Sequence, residues 1–473
     1  MLKTKIIATI TPQSIEDDLL KSMIDAGVDV FRLNFSHGSR DDHRRMIREI
    51  KKVREGLPKP VAILQDISGA KVRTGSFNEP QVELLKGQGF VLFTSSETEG
   101  SVEGVYVDHQ SFADEVREGD QVILDDGKVA MKVTEISDGK VFCEITKGGT
   151  VRGRRGVSVP GKVLSNPAIT EKDKLDIKLG LEEGVDFIAL SFVREEKDVR
   201  ELRSFINENV MESLPDVIAK IETAKALDNF NDIMDTADAV MIARGDLAVE
   251  TEPENIPMEQ KRMIAKANEQ GKPVITATQM LESMVNSPIP TRAETSDVAN
   301  AVLDGTDAVM LSSETSIGKY PLEAINAVAK TALRVEKNYP TKIERKGDEK
   351  TDMGITDSIT TAVVAICRGL DAKLIVALTD SGFTGRMISR HKPKTPIVAM
   401  ATDKYVYRKL SLSFGCVPLY VEPPEDVGKA FDTVRDRILA RGFAEEGDRV
   451  VVAAGAPFEL PGAKTNMLFV ESL

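Results

Sequence analysis

Cysteine is scarce in this chain: Cys143, Cys367 and Cys416 are three in 473 residues, far apart and flanked by apolar neighbours. That excludes a disulfide framework and a thiolate zinc site, and suits reduced packing residues in a cytoplasmic protein. No run of about 18 apolar residues occurs, so no membrane span is expected. The opening Lys3-Thr4-Lys5-Ile6-Ile7-Ala8-Thr9-Ile10 reads as a strand and not as a signal peptide. Excess positive charge is also missing. With 62 Lys and Arg against 75 Asp and Glu, the net charge of −13 argues against a nucleic-acid binder but leaves room for a local basic pocket. No Gly-x-Gly-x-x-Gly turn follows the first strand, which weakens a dinucleotide-binding open sheet.

What is present is a soluble globular balance, 41% apolar and 29% charged, in a chain long enough for about three domains. Apolar runs at 5–10, 28–35, 61–67, 185–192, 217–221, 239–243, 274–278 and 308–311 alternate with helical patterns. Gly27, Gly184, Gly271 and Gly305 stand just ahead of runs as helix stops. Continuous apolar strands separated by helices imply a parallel sheet covered on both faces, and eight such units close a (β/α)8 TIM barrel of the α/β class. An open doubly wound sheet is the other reading. Between 69 and 163 the alternation gives way to an all-β pattern with hairpin signals at Asp125-Asp126-Gly127-Lys128 and Ser137-Asp138-Gly139-Lys140. A β-barrel-like domain inserted after the third strand stands at the catalytic end, where it can act as a lid. The charged stretch 342–352 reads as a linker, and runs at 374–378, 397–400, 417–420 and 450–453 imply a C-terminal α/β domain. The expected division is barrel 1–68 and 164–341, insertion 69–163, and C-terminal domain 342–473.

In a parallel barrel the functional groups gather at the strand C-termini. There the second run ends Arg32-Leu33-Asn34-Phe35-Ser36-His37-Gly38, with Arg32, Asn34 and Ser36 on one side. The third ends at Asp66, the fifth at Lys220 and Glu222, the sixth at Arg244 and Asp246, the seventh at Thr276, Thr278 and Gln279, and the eighth at Ser312-Ser313-Glu314. Charges in such places are costly unless they pair or bind something, so an internal ion-pair network and a ligand site are the two readings. Glu222 and Asp246 without nearby His or Cys favour Mg²⁺ or Mn²⁺. Lys220 suits neutralisation of a phosphoryl group, or a Schiff base if its pKa is depressed. Arg32 and Arg73 suit bidentate phosphate contacts or surface ion pairs.

The motifs Arg32-Leu33-Asn34-Phe35-Ser36-His37-Gly38, Ala219-Lys220-Ile221-Glu222, Ala243-Arg244-Gly245-Asp246-Leu247, Ala277-Thr278-Gln279-Met280-Leu281-Glu282-Ser283-Met284 and Pro290-Thr291-Arg292-Ala293-Glu294 closely resemble pyruvate kinases, over nearly the whole chain. The resemblance implies phosphoryl transfer from phosphoenolpyruvate to ADP. It implies a divalent ion on Glu222 and Asp246, and substrate contacts from Ala243, Arg244, Gly245, Asp246 and Thr278. Lys220 stabilises the phosphoryl group in this picture, and Arg32 and Arg73 bind its oxygens. Asn34, His37, Arg73 and Lys172 lie on the nucleotide side, and Thr278, Ser312 and Glu314 form a proton relay. A monovalent ion sits near Asn34, Ser36, Asp66 and the carbonyl of Ile67. The family is usually a homotetramer, and a loop such as Thr379, Ser381, Gly382, Phe383 and Thr384 holds the phosphate of an allosteric effector, with 455–466 closing over it. Helix capping alone also explains the Ser and Thr there.

One departure matters. The family run Asp-Thr-Lys-Gly-Pro-Glu-Ile-Arg is here Asp66-Ile67-Ser68-Gly69-Ala70-Lys71-Val72-Arg73, so a glutamate is replaced by Lys71. An ammonium is a compact monovalent cation, and the expectation is that Lys71 takes over the K⁺ role and K⁺ is not required. Rival readings are an aldolase-like lyase acting through Lys220 and a catalytically dead effector-binding regulator.

Overall fold

Eight parallel strands close on themselves: β1 (Lys5–Ile10), β2 (Val28–Asn34), β3 (Ala62–Ile67), β4 (Phe187–Leu190), β5 (Asp216–Ile221), β6 (Ala239–Ala243), β7 (Val274–Ala277) and β8 (Ala308–Leu311). The computed structural model describes residues 1–473 apart from 70, 96–97, 126, 163, 211–212, 339–353, 423–426 and 456–463. All eight lie where the apolar runs predict, because strands buried on both faces need no polar alternation. Side-chain parity divides the core. Ile6, Ala8 and Ile10 pack outward under the helices, while Ile7, Val30, Leu64, Ala189, Ile218, Met241, Ile275 and Met310 fill the barrel interior. Leu412, from the C-terminal part of the chain, joins that interior layer.

The N-terminal mouth of the barrel is organised by a repeated aspartate. Asp29, Asp186, Asp238 and Asp307 each stand at the start of an even strand and accept the backbone N–H of the preceding odd strand: Ile6 at 3.0 Å, Ile63 at 2.9 Å, Val217 at 2.8 Å and Val274 at 3.1 Å. These N–H groups lie at the first or second residue of their strands, where the aspartates satisfy them. The same four carboxylates also take cations: Lys59 on Asp29, Arg203 on Asp238, Arg54 and Arg408 on Asp186, and Lys392 on Asp307. Arg408 and Lys392 belong to the C-terminal domain, as does Lys409, which pairs with Asp216 at 2.7 Å.

Within 69–163 a sheet ordered Val157–Ser158, Gln121–Leu124, Val129–Ser137, Lys140–Lys147, Gly89–Phe93, Gly104–Tyr106 surrounds its own apolar core, with Gly149–Val151 paired to Val82–Leu84 beside it. Asp138 and Gly139 both adopt positive φ, 50° and 71°, as a two-residue hairpin turn requires. The C-terminal sheet runs β11–β10–β9–β12–β13, where β9 is Leu374–Leu378, β10 Ile397–Ala401, β11 Cys416–Tyr420, β12 Arg449–Ala454 and β13 Met467–Ser472. The antiparallel β13 was not anticipated from the sequence. The expected linker at 342–352 lies outside the described residues. Among the described residues no helix is long and apolar enough to cross a membrane.

Asp186 is fully buried between two guanidinium groups and one backbone N–H. Replacing it with Ala strands all three, and the expected cost is about 3–5 kcal/mol. Urea denaturation should show a clearly lower midpoint for Asp186→Ala and a smaller loss for Asp186→Asn, which keeps one acceptor.

Candidate active site

The parity that fills the barrel interior also selects what emerges at its C-terminal mouth. Thr9, Arg32, Asp66, Ser191, Lys220 and Glu222 each continue, by steps of two, the inward-facing rows of their strands. At the centre is the Lys220 ammonium, 2.7 Å from Ser191 Oγ, 2.9 Å from Glu222 Oε1 and 3.2 Å from Asp66 Oδ1. Arg32 reaches Asp66 Oδ2 from the other side through Nε and Nη2, both at 2.7 Å, and donates to Thr9 Oγ1 at 2.9 Å. Ser191 in turn donates to the Ile67 carbonyl at 2.7 Å, and Glu222 Oε2 accepts the Phe192 N–H at 2.7 Å.

Burial disfavours every charge here, and the partners decide the outcome. Burial pushes the Asp66 carboxyl up, but Lys220 and Arg32 outweigh it and hold the pKa below the ordinary value. Burial likewise opposes the Lys220 ammonium, yet Asp66 and Glu222 keep its pKa raised. Glu222 moves up, through burial and then, against the pull of Lys220, the repulsion of Asp246. A buried Glu222 and a partly exposed Asp246 that repel each other at a barrel mouth fit a divalent cation. Among the described residues no group of three metal-binding side chains occurs, so water and substrate oxygens would complete the shell.

Asp246 lies in the first turn of the helix Arg244–Glu250, directly after β6. The Arg244 guanidinium reaches across to Asp297 and to the Thr278 carbonyl just past β7, at 2.7 and 2.8 Å. Gly245 donates its N–H to Thr278 Oγ1 at 2.8 Å. Thr278 and Gln279 adopt φ of 64° and 55°, left-handed values that a β-branched residue avoids, so β7 stops at Ala277. The Arg244 and Gly245 contacts tie down this turn. Glu314 is buried with both oxygens occupied, by the N–H groups of Leu281 at 2.9 Å and Ser312 at 2.8 Å, so it fixes the loops after β7 and β8.

On the opposite rim, Asn34 Oδ1 accepts the Ser36 N–H at 3.1 Å, and Lys172 is held by Asp176 and the Phe35 carbonyl, both at 2.6 Å. Burial and then the charges of Arg73, Arg155, Arg32 and Lys172 hold the His37 pKa below the usual histidine range. A neutral His37 among four cations marks a local basic pocket in an acidic protein. Lys71 was expected near Asn34, Ser36, Asp66 and Ile67, but its ammonium is 2.8 Å from Asp246 Oδ1 and 5.2 Å from the Phe192 ring centroid. Asp66 already carries two cations, whereas Asp246 faces the like charge of Glu222 and gains more from a third.

In the C-terminal domain, Thr379 and Thr384 are buried, Gly382 has φ 78° and Phe383 begins the helix Phe383–Ser389. Thr465 donates to Thr384 Oγ1 at 2.9 Å and the Ser381 carbonyl accepts Arg386 at 3.2 Å. Most of the loop at 455–466 lies outside the described residues. Sequence reasoning missed Thr9, Ser191, Phe192, Arg155 and Glu250. The first two would have emerged from applying the strand-end rule to β1 and β4 as well.

Family models for the pyruvate kinase barrel domain and the pyruvate kinase alpha/beta domain match residues 1–325 and 357–471. A pyruvate kinase of Clostridium acetobutylicum is 40% identical over 100% of this chain and 99% of its own length. The chain belongs to the pyruvate kinase family. Pyruvate kinase 2 of Synechocystis is 43% identical over 99% of this chain and 79% of its own, and the pyruvate kinase of Geobacillus stearothermophilus is 40% identical over 99% and 80%. The two family matches leave 326–356 between them, a span that contains the expected linker.

Lys220→Met leaves Asp66 and Glu222 buried without their shared cation, at an expected cost of about 3–5 kcal/mol near neutral pH. Glu222, which loses its cation while Asp66 keeps Arg32, then titrates above its unfolded value, so the native state binds more protons than the unfolded chain as pH falls and the deficit shrinks. Urea midpoints for wild type and variant should therefore converge from about pH 8 toward about pH 5.

Proposed function

We propose that this chain transfers the phosphoryl group of phosphoenolpyruvate to ADP, giving ATP and pyruvate. The carrying observation is the buried, permanently charged Lys220 between Asp66, Glu222 and Ser191. Phosphoryl transfer needs positioning and neutralisation of charge spread over the phosphoryl oxygens, and a fixed ammonium with a guanidinium beside it supplies both. Glu222 and Asp246 would hold Mg²⁺ or Mn²⁺, which would supply charge neutralisation to the substrate. The N–H groups at the start of Arg244–Glu250 and the Thr278 hydroxyl receive the substrate carboxylate, helped by the positive end of the helix. Arg32 and Arg73 take phosphoryl oxygens. Asn34, His37, Arg73 and Lys172 face the nucleotide, with Arg155 as a further cation from the insertion. As the P–O bond to the enol oxygen breaks, an ADP oxygen bonds to phosphorus, and the released enolate takes a proton at carbon from the Thr278 and Ser312 side, which Glu314 orders.

A raised Lys220 pKa speaks against the Schiff-base reading, which needs a neutral amine. Because Lys71 supplies a monovalent positive charge of its own at the metal edge, turnover does not require K⁺. The insertion, taken as 69–163, closes over the site between barrel segments 1–68 and 164–341. In the C-terminal domain, 342–473, the Thr379–Thr384 loop takes a phosphorylated effector. The assembly is a cytoplasmic homotetramer, consistent with exposed Met258, Ile289 and Ile317 on the barrel.

Pyruvate formation from phosphoenolpyruvate and ADP should require Mg²⁺ or Mn²⁺ and proceed undiminished in K⁺-free buffer. Strong stimulation by KCl would contradict the role given to Lys71. Lys220→Met should lower kcat by about 10²–10³-fold or more, as loss of a fixed charge stabiliser does. Absence of pyruvate with the wild type would overturn the activity itself.

A further inference from the structure

Lys71 occupies the carboxylate that the divalent ion needs. An ammonium 2.8 Å from Asp246 Oδ1 and a divalent cation on the same oxygen repel, so metal entry must move Lys71. Where the ammonium goes decides how much positive charge stays at the site. One helical turn beyond Asp246, on the same face of Arg244–Glu250, is a second carboxylate, Glu250. Lys71, Phe192, Ser158 and Glu250 line one cavity of about 200 Å³ between the insertion and the barrel, so room to swing is present. The Phe192 ring already lies under the ammonium.

We propose that Glu250 is a positioning residue for Lys71, offering the ammonium a second carboxylate inside the cavity so that it can leave Asp246 when a divalent cation binds there. Ser158, from the insertion, lines the cavity beside Glu250 and favours its charged form. Burial drives the Glu250 carboxyl up to about 7, and Ser158 and Lys71 are the groups that oppose that push, so Lys71 already acts on Glu250 across the cavity. Without Glu250, the ammonium would have to leave for solvent or stay on Asp246 in competition with the metal.

The proposal rests on Asp246 being a metal ligand, and one measurement separates the two. Mn²⁺ binding to the full-length, substrate-free protein is read from the electron paramagnetic resonance signal of the free ion. Glu250→Gln should weaken binding by about tenfold, the low end of the cost of losing an outer-shell partner. Glu250→Asp should recover most of that loss, and Lys71→Met should bind more tightly than wild type. The double variant Lys71→Met/Glu250→Gln should bind as Lys71→Met does, because Glu250 has no ammonium left to receive. Equal affinity for wild type and Glu250→Gln, or a tenfold loss that persists in the Lys71→Met background, overturns the proposal. Undiminished binding by Asp246→Asn overturns instead the metal-ligand reading beneath it.

Discussion

The site depends on one buried ammonium. Among the described residues, Lys220 alone is within hydrogen-bonding reach of Asp66, Glu222 and Ser191 together, and those three stand at the ends of three adjacent strands, β3, β5 and β4. Its charge makes two buried carboxylates tolerable, and their charge keeps it protonated against burial. A network of this kind adds little net stability over an apolar core, and breaking one partner is costly. Its value lies in a positive charge that needs no reorganisation when a phosphoryl group arrives.

The two mouths of the barrel use the same chemistry for opposite ends. At the N-terminal mouth the four strand-opening aspartates are saturated by backbone N–H groups and cations, two of them from the C-terminal domain. At the C-terminal mouth the charges are less completely paired: Glu222 and Asp246 repel, and His37 sits among like charges. Saturation fastens domains together, and residual imbalance draws a cation to one rim and phosphates to the other. The pairs Lys392–Asp307 and Arg408–Asp186 also place the C-terminal domain directly on strands whose far ends, β8 and β4, carry Ser312 and Ser191.

The barrel was legible because strands buried on both faces read as continuous apolar runs, and the charged strand ends stood out against them. What was missed has physical reasons. Ser191 and Thr9 are small polar residues that resemble ordinary strand ends until Lys220 and Arg32 reach them. Gly104–Tyr106 and Val157–Ser158 are too short to show a period. The left-handed Thr278 carries no signal, since the contacts that hold it come from Arg244 and Gly245, in the helix after the neighbouring strand. The aspartate repeat was visible in Gly27-Val28-Asp29, Gly184-Val185-Asp186 and Gly305-Thr306-Asp307, but an aspartate after a glycine looks like turn chemistry until its partner strand is known. Lys71 was placed by its charge alone, and a long side chain goes to whichever carboxylate is least satisfied.

The most direct test of the central claim is the ionisation of Lys220 itself. In protein labelled with ¹³C at lysine Cε, the Lys220 resonance, assigned by its loss in Lys220→Arg, should stay in the charged position through the neutral range and titrate only above the ordinary lysine pKa. A Lys220 that titrates below that value, near neutrality, would contradict a permanent phosphoryl-stabilising charge and return the residue to nucleophilic chemistry.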